Sequence, residues 1–541
     1  MSEPTRRFRI HNLELGLAES ELLLRSRAAE AAGVPDEALG DLKIVSKSID
    51  ARKHRGVRRL RFVVHVETGI STAVGSEEFK RALRSGRVRE ARPPQPLRLE
   101  GCGGYRGRAV VVGTGPAGLY AAWTLALNGA QVDVIDRGAA LKDRGRDLVR
   151  FRRTRVPDPE SNLLYGEGGA GTYSDGKLYT RVDDPLEISC LQELVDCGAP
   201  EEILFDSRAH IGTDKLHRIL PEMRRRMEAE GVRFHWGVRL EKLALGPGGR
   251  RVRGAITSAG ELPCDALFLA PGHSARDTIR ALHDQGVAVE AKPFQLGVRV
   301  EHPQELITAG RYGRGPEAEM LGPAYYNLVS KPGSDGPACH SFCMCPGGKI
   351  VASVNIPGAL CTNGMSNSRH SSPWANAALV TTFGPAEFGD GPFDGVAFQE
   401  ELERRFFEAG GADYTAPGQR ADDFLAGRET KNPRHSSFSF GTCPGRIDRL
   451  LPQSATAAIA RGLRRFDRVI PGFAGPEGLL VGLESRSSGP IRLPRDRDSG
   501  IAAGFENLYP MGEGAGFAGG IMSAAIDGAR AAQRLLQLRD S

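Results

Sequence analysis

The stretch AVVVGTGPAGLYAAWTLALNGAQVDVID, Ala109 to Asp136, decides the fold. Ala109 to Val112 is a short apolar run suited to a buried parallel strand, and Gly113, Gly115 and Gly118 then fill the pattern G-x-G-x-x-G. Each glycine has its own task. Gly113 permits the tight turn, Gly115 lets the backbone approach a pyrophosphate, and Gly118 lets the following helix pack close on the strand. The helix opens with Pro116 and Ala117, and its first N–H groups and positive dipole end make a site for a diphosphate. The second strand, Gln131 to Ile135, ends at Asp136, where a carboxylate can take both hydroxyls of an adenosine ribose, with Arg137 beside it. An acid there favours an unphosphorylated ribose, so FAD or NAD fits better than NADP. Three glycines and Pro116 interrupt this most apolar window, so it does not read as a membrane span.

At 541 residues the chain is long enough for about three domains. With 40% hydrophobic and 26% charged residues it has the balance of a soluble globular protein. The opening MSEPTRRFRIHNLEL has basic residues but no apolar core behind them, so no signal peptide is expected and the location reads as cytoplasmic. Nine cysteines in a chain this long form no dense disulfide framework. Residues 1–100 hold 20 Lys and Arg against 14 Asp and Glu, so the whole +6 excess of the chain precedes the nucleotide-binding unit.

Residues 1–95 read as a small basic α+β module with a ferredoxin-like order. Phe8 to Leu15, Leu42 to Ile49 and Leu60 to Val66 have strand patterns, while Glu19 to Ala32 and Glu77 to Arg84 have helical ones. Arg52, Lys53, Arg55, Arg58, Arg59 and Arg61 cluster between two of these strands, as phosphate binding would need, though no aromatic residues interleave to stack bases. ARPPQP, from Ala91, reads as a stiff linker. Beyond Asp136, Arg137 to Arg155 reads as a basic, exposed helix. SNLLYGEGGAGTYSDGKL, from Ser161, holds too many small residues for a packed helix, and its backbone must approach something closely. In a flavoprotein, Gly168, Gly169, Ala170, Gly171 and Ser174 would face the flavin or its diphosphate.

Further on, Thr213 is expected to cap a helix. Ala266 to Ala270 is a buried strand ending at Gly272, which places His273 at the carboxyl edge of the sheet, where ligands bind. VRVEHP brings Arg299, Glu301 and His302 together. Cys343 and Cys345 would share one strand face, but their spacing is neither C-x-x-C nor a completed zinc pattern, so neither a redox dithiol nor a metal is expected. Arg486, Arg492 and Arg495 could clamp a carboxylate or phosphate. In the last segment a strand meets Gly512 and Glu513, and a helix starts at Gly519, Gly520 and Ile521. Glu513 can bond a ribityl chain while the helix N–H groups face an electron-rich ring edge.

With those residues in view, the chain resembles the bacterial FAD-dependent, or NAD(FAD)-utilising, dehydrogenase family. The resemblance runs nearly end to end and rests on SIDARK, GTGPAG, SNLLYGEGGAGTYSDGKL, GHSARDT, GVRVEHPQ, FCMCPGG, NGM, ESRSS and MGEGAGFAGGI. It implies a small N-terminal domain, a split FAD domain similar in kind to that of glutathione reductase, and an inserted C-terminal domain. FAD would then lie across Gly113, Asp136, the Gly168 loop and Glu513. Pro271 and Ser485 stand where the family usually has threonine, and PRHSSFSF around Pro433 also departs from its pattern.

The expected fold class is therefore α/β. A glutathione-reductase-type, Rossmann-like FAD domain is split over residues 105–290 and 496–541, with an α+β substrate domain at 291–495 and the module at 1–95. The expected activity is hydride transfer between flavin N5 and a small, anionic substrate or NAD(P)H. No second glycine fingerprint supplies a nicotinamide domain, so NAD(P)H would be a transient visitor. His273 and His302 are the acid–base candidates, with Arg299 and Arg486 orienting the substrate. Two alternatives stay open. One is a tRNA-modifying flavoprotein that holds RNA through the basic module; the other is a flavin-binding sensor without turnover.

Overall fold

The computed structural model describes residues 5–54, 57–71, 76–100, 105–180, 182–207, 209–334 and 336–540. Arg55 of the basic run lies outside them.

Strands Arg108–Val112 and Gln131–Asp136 pair in parallel as the apolar runs require, and the sheet extends from them on both sides. Ala266–Leu269 and Leu508–Pro510 add on one side and Arg233–Trp236 on the other, giving five parallel strands. The strand near the C-terminus thus completes a sheet begun some 400 positions earlier. Helix Pro116–Leu127 is buried almost all round, as an apolar helix must be, because helix Ile521–Asp540 covers its outer side. The two cross so tightly that a Cβ at Gly528 would stand 2.0 Å from the Ala117 carbonyl.

The intervening segment builds a second, seven-stranded sheet. Phe294–Pro303 lies at its centre, between Trp374–Phe383 and Leu479–Glu484, and Cys339–Cys345 pairs on the far side of Trp374–Phe383. Helix Gln453–Asp467 packs against this sheet through Ile459, Leu463 and Phe466. The N-terminal module runs strand, helix, strand, strand, helix, strand, with sheet order Lys43–Asp50, Arg61–Ser71, Thr5–Gly16, Val88–Glu90. This is the split βαβ arrangement.

Several local expectations change. Glu19 to Ala32 is helical only from Leu23. Val88–Glu90, too short for its pattern to show, closes the module's sheet. ARPPQP is stitched down, with the Gln95 amide N–H donating to Pro185 O at 2.8 Å and its side chain meeting Gln533 at 2.6 Å. Thr213 does not cap its helix. It is the first helical residue, and its hydroxyl donates to Ser174 O at 2.6 Å, so it ties the helix to the glycine-rich loop. The basic run is largely spent in pairs, Arg52 with Asp50 at 2.8 Å and Arg61 with Glu14 and Asp50, while Arg58 donates to Gly310 O at 2.9 Å. Among the described residues no helix is long and apolar enough to cross a membrane.

Candidate functional site

The loops that follow Val112, Leu269 and Pro510 leave the same edge of the parallel sheet and converge on a cavity of about 260 Å³. It runs from the Gly113–Ala117 turn, Asp136 and Arg137 at one end to Phe342, Cys343, Glu484 and Arg486 of the second sheet's region at the other. Carboxyl edges of parallel strands are where such folds take ligands.

The turn is built by exclusion. Gly113 has φ +101°, and a Cβ there would stand 2.2 Å from Ala270 O. A Cβ at Gly118 would stand 1.9 Å from Gly113 O, so this glycine serves packing and does not line the cavity. At Gly115 the nearest atom to a Cβ is the Gly169 Cα at 4.0 Å, which leaves the backbone open for a ligand to approach. Pro116 and Ala117 line the cavity beside it, as do Gly169, Ala170, Gly171 and Ser174 of the opposing loop. Gly168 does not. A Cβ there would meet Thr172 and Leu220, so it faces the protein interior.

That loop is held by Arg144, a fully buried residue on helix Leu141–Thr154. Its guanidinium donates to Asn162 O, Glu167 O and Gly169 O at 2.7–2.8 Å and to Thr172 Oγ1 at 3.2 Å. The helix was expected to be exposed, and most of its arginines are; Arg144 turns inward because four oxygens of the loop await a donor. Burial brings its pKa down to about 10.

Asp136 also differs from its expected role. One carboxylate oxygen accepts from Thr114 N at 2.9 Å and Thr114 Oγ1 at 2.6 Å, and the other accepts from Gly138 N at 2.8 Å and Gly166 N at 2.9 Å. All four lone-pair positions are engaged, so Asp136 clasps three loops together at the cavity wall. Arg137 lines the cavity with its guanidinium held by Glu160 and Asp277.

At the other end, Glu513 reaches the cavity, and among the described residues no donor bonds its carboxylate. Burial pushes its pKa up to about 8, with Lys292 opposing the shift. Gly272, Gly512, Gly520 and Ile521 line the cavity nearby, whereas Gly519 is exposed outside the lining. Arg486 lines it as well, and sits in a buried trio in which Glu403 receives Arg486 at 2.9 Å and Arg276 at 3.0 Å. The two arginines hold Glu403 far below the usual carboxylate range against the pull of burial. His273 also lines the cavity, with Nδ1 2.8 Å from Ser274 Oγ. Burial, then Arg486 and Arg276, bring its pKa down to about 3, so the ring is neutral at physiological pH.

Two of the four catalytic candidates are not at the site. His302 is fully buried against Phe473 and uses Nε2 to bond its carbonyl at 2.8 Å. Arg299 is fully buried, with Glu484 at 2.9 Å and Asn376 at 2.6 Å, and does not line the cavity. Of the three C-terminal arginines only Arg486 lines the cavity; Arg492 and Arg495 meet over the Phe517 ring, and Arg495 pairs with Asp527 at 2.6 Å. Lys177, Asn363 and Glu484 line the cavity without having been singled out as site residues, although Lys177 lies in the glycine-rich stretch and Glu484 in ESRSS. Asp175, His210 and His370 offer ligand atoms within 4.8 Å of one another. Asp175, however, already receives Ser366 and the Lys177 ammonium, and the two imidazoles stack at 4.0 Å.

The residues fit FAD. The glycine turn leaves its backbone open where a diphosphate would meet the helix start, and Glu513 offers an unengaged carboxyl where a polyol would lie.

Comparison with known proteins agrees. Residues 293–487 match the model for the FAD-dependent protein, C-terminal domain-like family, residues 111–141 match an NAD(P)-binding Rossmann-like domain, and residues 8–67 match a domain of unknown function. An uncharacterized protein of Clostridium beijerinckii is 36% identical over 535 residues, covering 98% of this chain and 99% of its own. Among solved structures, an oxidoreductase from Methanosarcina mazei is 11% identical, with 80% of this chain and 100% of that one covered at a TM-score of 0.34. The glycerol-3-phosphate dehydrogenase from Bacillus halodurans, complexed with FAD, is 10% identical, with 80% and 65% covered at a TM-score of 0.36. The chain belongs to the family of FAD-dependent proteins that carry this C-terminal domain, and its cofactor is FAD.

Proposed function

We propose that the protein is a dehydrogenase-type flavoenzyme that passes a hydride between flavin N5 and a small anionic substrate or NAD(P)H. Bound FAD supplies the two-electron chemistry. The observation that carries the reading is Arg486, which lines the far end of the cavity and belongs to a cluster in which three arginines, Arg276, Arg280 and Arg486, share two carboxylates, Glu400 and Glu403. A desolvated guanidinium attracts and orients a carboxylate more strongly than a surface one. His273, kept neutral, can accept or offer a hydrogen bond to the substrate without adding charge.

In this reading the FAD unit is assembled from residues 105–290 and 496–541 in the manner of glutathione reductase, with 291–495 as the inserted substrate domain. Gly113, Gly115 and the start of the helix at Pro116 hold the diphosphate. Glu513 holds the ribityl chain, and Asp136 keeps the ribose end in shape without bonding it.

The test is to mix purified holoprotein anaerobically with NADH and then NADPH while following the flavin band. Bleaching by either supports a nicotinamide-reduced enzyme. If neither acts, a screen of carboxylated metabolites should find a reductant, and a flavin that no compound reduces would refute the reading.

A further inference from the structure

Strand Cys339–Cys345 is irregular at one place. Phe342 pairs with Ala378 but Cys345 pairs with Asn376, so three steps on one strand oppose two on the other. The extra residue makes a bulge, and Cys343 adopts φ +46°, a left-handed conformation rare for a residue with a side chain. Such strain is kept where the surrounding structure holds it for a purpose. Here it folds Cys345 back on its neighbour, so that the Cys345 thiol donates to the Cys343 carbonyl at 3.4 Å.

Two cations hold the bulge. The Lys177 ammonium bonds the Met344 carbonyl between the two cysteines. Arg299 donates to Cys343 O at 3.0 Å and lies 3.8 Å from Cys345 Sγ. Cys343 is partly exposed and lines the same cavity as the glycine turn, while Cys345 is fully buried behind it. The thiols diverge in acidity. The neighbouring Cys345, then Lys177 and Arg299, hold Cys343 below the ordinary thiol range against the pull of burial, whereas Cys345 is driven well above it. At Cys264 and Cys339 burial outweighs the arginine nearby and pushes the thiol up to about 12. A thiolate beside a protonated thiol is the arrangement dithiol exchange needs.

We propose that Cys343 and Cys345 form a redox-active dithiol–disulfide pair that exchanges two electrons with the flavin in the shared cavity. This rests on the FAD-dependent reading above. In the oxidising direction the Cys345 S–H bond breaks and an S–S bond forms to Cys343. The electron pair and the Cys345 proton pass to oxidised FAD, so that thiolate, thiol and FAD become disulfide and FADH⁻, with one negative charge on each side. The reverse step opens the disulfide with reduced flavin, and no further reactant is required.

The test uses the holoprotein after mild oxidation with diamide and removal of the reagent. Anaerobic titration with dithionite should consume four electrons per flavin in the wild type, two for the ring and two for the disulfide. Cys343→Ser and Cys345→Ser should each halve that uptake, and flavin content per chain shows whether either variant has folded. Cys443→Ser, in a remote strand, should keep the wild-type value. Independently of the flavin, alkylation and peptide mass analysis of the oxidised protein should find Cys343 and Cys345 blocked and two hydrogens lighter. Uptake of two electrons in the wild type, with both cysteines alkylated after oxidation, overturns the pair and leaves the flavoenzyme reading standing. A chain that takes up no flavin overturns both.

Discussion

Arg144→Met would test how the cofactor loop is held. Arg144 makes four hydrogen bonds to residues 162–172, and the variant loses them all. At the low end for bonds from a charged donor, four are worth roughly 6 kcal/mol. Against this, burial lowers the Arg144 pKa from 12.5 to about 10. Removing the ion therefore returns roughly 3 kcal/mol. The net cost of about 3 kcal/mol is small beside the cohesion of so large a chain, so the variant should fold and melt a few degrees lower. Flavin affinity should fall as well, because Gly169 must lie against the Gly115 Cα for the two loops to frame the cavity. A tenfold or greater rise in the FAD dissociation constant is expected, about 1.4 kcal/mol or more. Titrating apoprotein with FAD by fluorescence quenching, beside a circular-dichroism melt, gives both numbers. A dissociation constant within about twofold of wild type, with a lowered melting temperature, would refute the claim that Arg144 shapes the cofactor loop.

Other perturbations separate the remaining roles. Gly113→Ala would drive a Cβ to 2.2 Å from Ala270 O at φ +101°, and should yield protein without flavin absorbance; Gly286→Ala, at φ +91° but with nothing within 4 Å and away from the cavity lining, should keep its flavin at a modest cost in stability. Glu403→Gln leaves the Arg276 and Arg486 guanidiniums without their shared counter-charge and should cost about 3–5 kcal/mol in urea unfolding. Because the folded carboxyl titrates far below its unfolded value, that contribution is present above the unfolded pKa and is lost only in strong acid. The gap between wild type and variant should thus stay flat from about pH 5 to 8. Glu513 has the opposite sign: its pKa is raised from 4.5 to about 8, so its contribution is full below the unfolded value and lost as the pH rises through 8. The apoprotein's melting temperature should fall across that window, and Glu513→Gln should flatten the slope.

The βαβ unit was legible because its glycines answer to local sterics, and local sterics are written in adjacent residues. Asp136 shows where such reading stops. Its place at the end of a strand follows from spacing, but whether its lone pairs meet a ribose or the N–H groups of Thr114, Gly138 and Gly166 depends on how three loops meet. VRVEHP makes the same point for charge. Arg299, Glu301 and His302 crowd together in the sequence, and a cluster of titratable groups invites a catalytic reading. Yet their strand is central in a seven-stranded sheet, so each must find a partner inside the protein or pay for burial unpaired. They find them far along the chain: Glu484 for Arg299, Arg434 for Glu301 and the Phe473 carbonyl for His302, separated by 185, 133 and 171 positions. A central strand rich in ionisable residues is therefore ambiguous by itself, since the same letters serve a reaction or a set of buried pairs. What distinguishes them is whether an unspent polar group faces the cavity, as Glu513 does; His302 keeps an unpartnered Nδ1 but lies away from the cavity lining.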